Sequence, residues 1–580
     1  MKNSYPTWNW LWLAVFYITT VVYGLSIAND TSPPICRCMP EDSCWPEDSK
    51  WAHFNKTVGG RLIATIPIAS VCHFNSLTPY NQSQCAQLQS DWGFPATHYE
   101  SSSSIMAESF TNLSCNPFSS KDSPCTFGNY VRYTVNATTV EHVQKSIQFA
   151  AHHNLRLVIR NTGHDLFGKS TGAGALAIWM HHMKNISIVD YSSSEYSGKA
   201  ARMGAGVQSF EGSDAAYRAG LAIVGGNCPT IGLAGGYSQG GGHGQLASYA
   251  GLAADQVLEW EVVLSNGTRV TASPRDNPDL YWALAGGGGG TYGVVVSMTS
   301  RAYPELPTAS GNLSFSDTGI SRATFFAAVE IFLSSLPSVG DAGGVSVWWL
   351  TNNTLSMTPT TIPGGSTAIF HSLFSPLLAF LEQKNVEFTY YANDFPTYHD
   401  AYETMNQPNN ITDQLIGGRL IPRTVVDHNL SGLVTMFRNV VERNAGFLIS
   451  GVGVNSSRTV HPDNGVNPVW RDATMNIVIG APFDYTDQRA NRDRQHLITD
   501  TLMPPLEELT PGGGAYLNEA NRNQANWQQA FYGDNYDRLL EIKRKYDGDD
   551  TFYAFKGVGS EAWTRGKGGR LCRLQKNYSI

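Results

Sequence analysis

The sequence predicts a mixed fold of the α+β class, divided among several domains. Three observations carry that expectation. A strand–helix–strand pattern fits residues 130–159, a turn pair at Asn266-Gly267 separates two β-rich runs, and strand-like runs with longer loops fill 306–505. At ~150 residues per domain, a chain of 580 residues divides into about four, with room to bury a large core unaided by metals or disulfides. A hydrophobic share of 42% argues against wholesale disorder. The net charge of −8 argues against nucleic acid as the main partner, which demands a basic face.

The elements follow in order. Residues 1–28 read as a signal peptide: Lys2 supplies the positive start, Trp10–Leu25 is an apolar run of 16 residues, and Ser26-Ile27-Ala28 offers small residues for cleavage. That run is short for a membrane span, which needs ~20 residues, so no membrane attachment is expected after cleavage. Residues 29–125 are rich in Cys, Ser and Pro and form an expected stapled lobe. Tyr130–Val135 alternates as a strand, Thr138 and Glu141 form a capping-box pair, and Val140, Val143, Ile147 and Ala151 fall at helical spacing. Leu155–Ile159 is β-rich again. A helix is expected at 209–219, closed by Gly220. Val257–Leu264 and Thr268–Thr271 flank the hairpin turn. A short helix at Asp279–Leu284 leads into Gly286–Gly290, and Val294–Val296 follows as a strand. Val345–Leu350 and Met475–Ile479 are strand-like, and a final helix is expected at Tyr536–Tyr546.

A secreted chain should carry glycans and disulfides. Thirteen Asn-x-Ser/Thr sequons occur, from Asn29 to Asn577, a density that favours a surface bearing N-glycans. Seven of the nine Cys lie between Cys36 and Cys125; the others are Cys228 and Cys572. Clustered Cys in an oxidising compartment means disulfides, and the odd total leaves one thiol over. By position the odd one is Cys228, inside a Gly-rich loop. A zinc site from Cys36, Cys38 and Cys44 lacks a paired C-x-x-C and a nearby His.

Two motifs mislead. Gly163-His-Asp-Leu-Phe-Gly168-Lys169-Ser170 matches the P-loop pattern, but a P-loop needs a helix directly after it, and Thr171-Gly-Ala-Gly-Ala175 is too Gly-rich to form one. Gly172-x-Gly174-x-x-Ala177 matches a dinucleotide fingerprint without a strand running into it. The strong signal is a constellation: nine glycines in the 20 residues Gly225–Gly244, five at Gly286–Gly290, and Gly204 with Gly206. Such density is costly in folding entropy. It makes sense where backbone must approach a bulky ligand closely and present N–H groups to anionic phosphates.

These residues resemble a known family. Arg160-Asn-Thr-Gly-His164-Asp, the Gly-Lys-Ser-Thr-Gly172 after it, and the Cys228 loop look like the FAD-binding (PCMH-type) domain of the berberine bridge enzyme-like oxidases, within the wider vanillyl-alcohol oxidase group. The resemblance is strongest for secreted fungal members such as the isoamyl alcohol oxidases, which share the Cys-Arg-Cys…Cys-Trp-Pro segment of Cys36–Pro46. It implies a two-lobed FAD-binding domain at 126–305, a substrate domain at 306–510 with a large antiparallel sheet backed by helices, and a C-terminal segment at 511–575 that returns to the cofactor. It implies FAD bound covalently twice, at His164 and at Cys228, which leaves eight Cys to pair. It places Gly163, Asp165, Ser170, Gly172, Gly204, Gly206, Gly232, Gly235, Gly240, Gly241 and Asp255 along the FAD. Tyr516-Leu-Asn518-Glu519 and Phe531-Tyr-Gly-Asp-Asn535 resemble two further family motifs, with Asn535 reaching the flavin ring.

For the catalytic base, Glu519 stands where the family often has Tyr, and a carboxylate can serve if burial raises its pKa; Tyr516 is the alternative. His243 and the pairs His152-His153 and His181-His182 lack metal-ligand spacing and read as structural, and no metal is expected. The expected function is a secreted FAD-dependent oxidase. It moves hydride from a C–H beside O or N of an alcohol, sugar or secondary metabolite to FAD, with O₂ as acceptor, in secondary-metabolite tailoring. A non-redox isomerase or cyclase on the same fold and a non-catalytic carbohydrate-binding glycoprotein are the alternatives.

Overall fold

The strand–helix–strand unit forms with two shifts. Its first strand is Tyr133–Asn136, because Tyr130 and Val131 are buried in a turn where the Tyr130 amide donates to the Phe127 carbonyl at 2.7 Å. The helix Val140–His152 is capped by Thr139, whose extended backbone lets its hydroxyl accept from the His142 amide. The Thr138–Glu141 capping box therefore does not form. The inward face is Val143, Ser146, Ile147 and Ala150, and Ala151 faces solvent. The returning strand is Leu157–Arg160; Leu176–Trp179 inserts between the two and runs parallel to both. Leu62–Ala64 closes the edge antiparallel to Tyr133–Asn136, so the Cys-rich segment shares this sheet.

The structure is a computed structural model that describes residues 35–112, 114–406, 411, 414–443 and 446–574. The expected signal peptide and the sequons at Asn29, Asn410 and Asn577 lie outside the described residues.

A second, antiparallel sheet orders Ile186–Ser192, Ser197–Gly204, Val294–Arg301, Val257–Val263 and Arg269–Ala272 side by side. Asn266-Gly267 makes the expected hairpin turn, Gly267 at φ +82°. The expected helices appear at Ser209–Tyr217 and Pro278–Leu284.

The third sheet has seven antiparallel strands, in the order Phe388–Phe395, Thr308–Ser316, Thr354–Pro363, Val345–Leu350, Leu448–Gly453, Ala473–Pro482 and Gln414–Pro422. One face packs on the helices Arg322–Asp341, Thr367–Gln383 and Arg423–Val441, with Trp348, Leu415, Ile449 and Ile477 in that core. By length and composition Arg322–Asp341 could cross a membrane; here ten of its residues are buried against the sheet.

The C-terminal segment then returns. Leu420 donates to Gly514, and Ala515 to Ala530, each at 2.8 Å. The helix Tyr536–Tyr546 forms as expected. Its buried Lys543 pairs with Asp547 and donates to the carbonyls of Thr291 and Phe552, each at 2.9 Å. Phe552 bridges to Leu157 at the edge of the first sheet. Eight Cys pair as Cys36–Cys572, Cys38–Cys44, Cys72–Cys85 and Cys115–Cys125, and Cys228 remains a thiol.

The Cys36–Cys572 bridge spans 536 residues and Cys38–Cys44 spans 6. Loop-closure entropy differs between them by about 4 kcal/mol. In thermal melts of the purified protein, C36S/C572S lowers Tm by more than C38S/C44S does; an equal loss contradicts the staple role.

Candidate active site

Side chains alternate across a strand, so the third sheet has a second face. Val347, Trp349, Ile416, Val452, Asn476 and Val478 point away from the helices and line a cavity of about 480 Å³. Its other walls come from the His164 loop, the Gly225–Gly244 loop, Gly289-Gly290 and the returning C-terminal segment.

His164 sits in the loop after Leu157–Arg160. Arg160 is buried and donates to the carbonyls of His98 at 2.8 Å, Ser101 at 3.0 Å and Ser104. The Met106 amide donates to the Gly163 carbonyl at 3.1 Å. Arg160 thus fastens the Cys-rich segment to the loop. Asp165 accepts from the amides of Phe167 and Lys169 and so shapes the turn. Burial raises its carboxyl pKa, with Lys169 opposing. No helix follows at 166–175, so the P-loop match has no phosphate-binding helix terminus.

Cys228 meets this loop. Its Sγ lies 3.8 Å from His164 Nε2 and 3.5 Å from Thr230 Oγ1, and His164 Nε2 lies 2.7 Å from the same hydroxyl. Burial pushes the thiol pKa up. The charge and hydrogen bond of His164, with the Thr230 hydroxyl and amide, outweigh it and bring the thiol down to about 7.

The Tyr516–Glu519 turn closes another wall, with the Glu519 amide donating to the Tyr516 carbonyl at 2.9 Å. Asn518 Nδ2 donates to the Gly236 carbonyl and to the Tyr516 hydroxyl, each at 2.8 Å. Gly240 leaves room for the Asn518 amide, and Gly418 for the Glu519 carbonyl; a β-carbon at either would overlap them. Glu519 Oε1 accepts from His243 Nε2 at 3.1 Å, and Oε2 from Asn476 Nδ2 at 2.6 Å. Its side chain keeps 29% exposure. Burial raises the carboxyl pKa, but His243 and Asn476 outweigh it and leave it below the ordinary value. The expectation of a carboxyl raised by burial is thereby corrected. Burial and the Glu519 charge push the Tyr516 hydroxyl well above its ordinary range, so Tyr516 stays a phenol.

The expected site residues divide. Gly163, His164, Asp165, Ser170, Cys228, Gly232, Gly235, Tyr516 and Glu519 line the cavity. Gly172, Gly204, Gly206, Gly240, Gly241, Asp255 and Asn535 do not. Gly172 makes room for Arg156, Gly204 for the Met183 carbonyl and Gly206 for that of His181. Gly241 takes φ +117° in the turn before His243. Asp255 is 2% exposed and binds Arg471 through both oxygens, at 2.8 and 2.9 Å. Asn535 donates to the Val466 carbonyl at 2.9 Å, behind the wall. Gly204 and Gly206 thus serve close packing of backbone on backbone, and Gly172 room for a side chain.

Sequence reasoning missed His243, Asn476 and Trp349. A lone His inside Gly240–Gly244 was a usable signal. Asn476, alternating with Val478 in an apolar strand, was another. His181-His182 lie in a turn and His152-His153 at a helix end.

The comparisons agree with this geometry. An FAD-binding-domain profile matches residues 131–273, and a berberine and berberine-like profile matches 515–559. The FAD-linked oxidoreductase sor8 of Hypocrea jecorina is 45% identical, over 95% of each chain. The VAO-type flavoprotein oxidase VAO615 of Thermothelomyces thermophilus is 41% identical, over 94% of this chain and 96% of its own. The crystal structure of the VAO-type flavoprotein MtVAO615 from Myceliophthora thermophila C1 superposes with a TM-score of 0.89, at 40% identity, over 93% of this chain and all of that one.

In protein whose Cys228 is unmodified, iodoacetamide alkylation of that thiol rises with a midpoint near pH 7. His164→Ala removes the groups that oppose burial, so the midpoint moves to higher pH. An unmoved midpoint contradicts the pairing.

Proposed function

The chain belongs to the FAD-linked oxidoreductases of the vanillyl-alcohol oxidase type, and from that membership we propose that it is a secreted oxidase of neutral alcohols or related metabolites, with FAD tethered at both His164 and Cys228. The observation that carries the reading is the convergence of an imidazole and a low-pKa thiol, 3.8 Å apart, on a cavity that also holds Glu519. The residues fit a flat, bulky group: Gly235, Gly289 and Gly290 leave bare backbone along the wall.

When bound, FAD supplies the redox chemistry, accepting hydride from a substrate C–H and returning the electrons to O₂ as H₂O₂. The chain supplies placement and proton handling. Glu519, held ionised, takes the hydroxyl proton as the C–H bond breaks. Tyr516, as a phenol, and Asn518 hold the turn that presents Glu519. The sheet face orients the substrate through Val347, Trp349, Ile416, Val452 and Val478; its polar members are Gln414, Ser450 and Asn476, and among the described residues no charged side chain lines that face. Such a wall suits a largely apolar metabolite better than an oligosaccharide, whose many hydroxyls need polar partners. This supports a tailoring role in secondary metabolism. The four disulfides support secretion.

The test is whether flavin stays with acid-denatured protein. It stays in wild type, His164→Ala and Cys228→Ala and leaves in the double variant. Wild type then produces H₂O₂ with apolar primary and allylic alcohols rather than with glucose oligomers. Loss of flavin from denatured wild type contradicts the double tether. H₂O₂ from the oligomers alone contradicts the substrate assignment.

A further inference from the structure

The Glu519 carboxylate is built from three distant parts of the chain. Glu519 comes from the C-terminal turn, His243 from the Gly-rich loop and Asn476 from the strand Ala473–Pro482. Each carboxylate oxygen has its own donor, so the group is fixed in rotation as well as in place. The His243 ring is 8% exposed. It packs edge-on to Tyr516, with ring centroids 5.2 Å apart, and against Trp470 at 6.0 Å. Trp470 in turn sits edge-on to Tyr516 at 5.4 Å. Its Nδ1 is buried without a hydrogen-bond partner among the described residues, so Nε2 is the atom through which the ring acts.

We infer that His243 and Asn476 are positioning residues that hold Glu519 ionised and aimed into the cavity, so that the base exists only when loop, sheet and C-terminal turn are docked together. This rests on the proposed role of Glu519 as proton acceptor. The physical reason is a balance. A partly buried carboxyl tends toward its neutral form, and a neutral acid cannot accept a proton. The N–H of His243 and the amide of Asn476 reverse that tendency by stabilising the charged form. The titratable groups facing the carboxylate are His243 from the loop and Tyr516 from its own turn; the sheet contributes Asn476, which does not titrate. Because Tyr516 stays neutral, His243 is the one titratable neighbour in that set able to favour the anion.

The experiment is pH-difference infrared spectroscopy of the flavin-loaded secreted protein, which needs no substrate. The carboxyl C=O band absent from Glu519→Gln identifies the group, and its midpoint is followed in each variant. His243→Ala moves the midpoint upward by about 1–3 pH units, the range for loss of a close favourable partner. His243→Gln keeps an N–H donor and moves it less, and Asn476→Leu moves it in the same direction. Far-ultraviolet circular dichroism reports folding. If His243→Ala yields no folded protein, His243→Gln and Asn476→Leu carry the test. An unmoved midpoint in the folded variants overturns the inference. The base assignment fails separately: undiminished H₂O₂ yield from Glu519→Gln with the alcohol panel sinks it, whatever the infrared midpoints show.

Discussion

The whole site depends on one steric constraint, the close approach of the returning C-terminal turn to backbone that carries no side chain. The turn at Tyr516–Glu519 seats its Asn518 amide over Gly240 and its Glu519 carbonyl on Gly418, where a β-carbon would overlap it. Gly286 likewise admits the Val466 backbone. Each contact joins segments at least 100 residues apart in sequence. Without them the Gly225–Gly244 loop, the seven-stranded sheet and the C-terminal segment would not share a cavity. The Cys36–Cys572 bridge and the buried Lys543–Asp547 pair secure the same return from behind.

Inside the cavity, partners decide against burial twice. The Cys228 thiol and the Glu519 carboxyl are both in surroundings that favour their neutral forms, and both are carried toward the anion by a histidine and a second donor. The thiol and the carboxyl stand in one cavity whose sheet wall is mostly apolar and carries no charged side chain among the described residues. That division suits a reaction in which protein groups attach a cofactor and move a proton, while the redox chemistry belongs to the cofactor.

Much of the fold was legible because its cues are local. Asn266-Gly267 sets its own turn, and the helix Tyr536–Tyr546 begins and ends where its pattern says. The odd thiol was legible from Cys spacing alone. The shifted first strand and the Thr139 cap were not, because two adjacent Thr are equally good caps and packing of Val143 and Ile147 chose between them. The glycines were legible as close approaches, but not what approaches: Gly204, Gly206 and Gly172 meet this chain's own backbone and Arg156. Asp255 and Asn535, expected along the FAD, bond to Arg471 and to the Val466 carbonyl and do not line the cavity. That Glu519, His243 and Asn476 meet was not legible, because they come from three segments with no spacing relation.

The measurement that tests the central claim most directly is peptide mass mapping of the purified protein after proteolysis. The account predicts that the peptides containing His164 and Cys228 are recovered as one species joined through a single FAD, with neither found at its own mass. Recovery of both peptides unmodified, with the protein folded and pure, would contradict it.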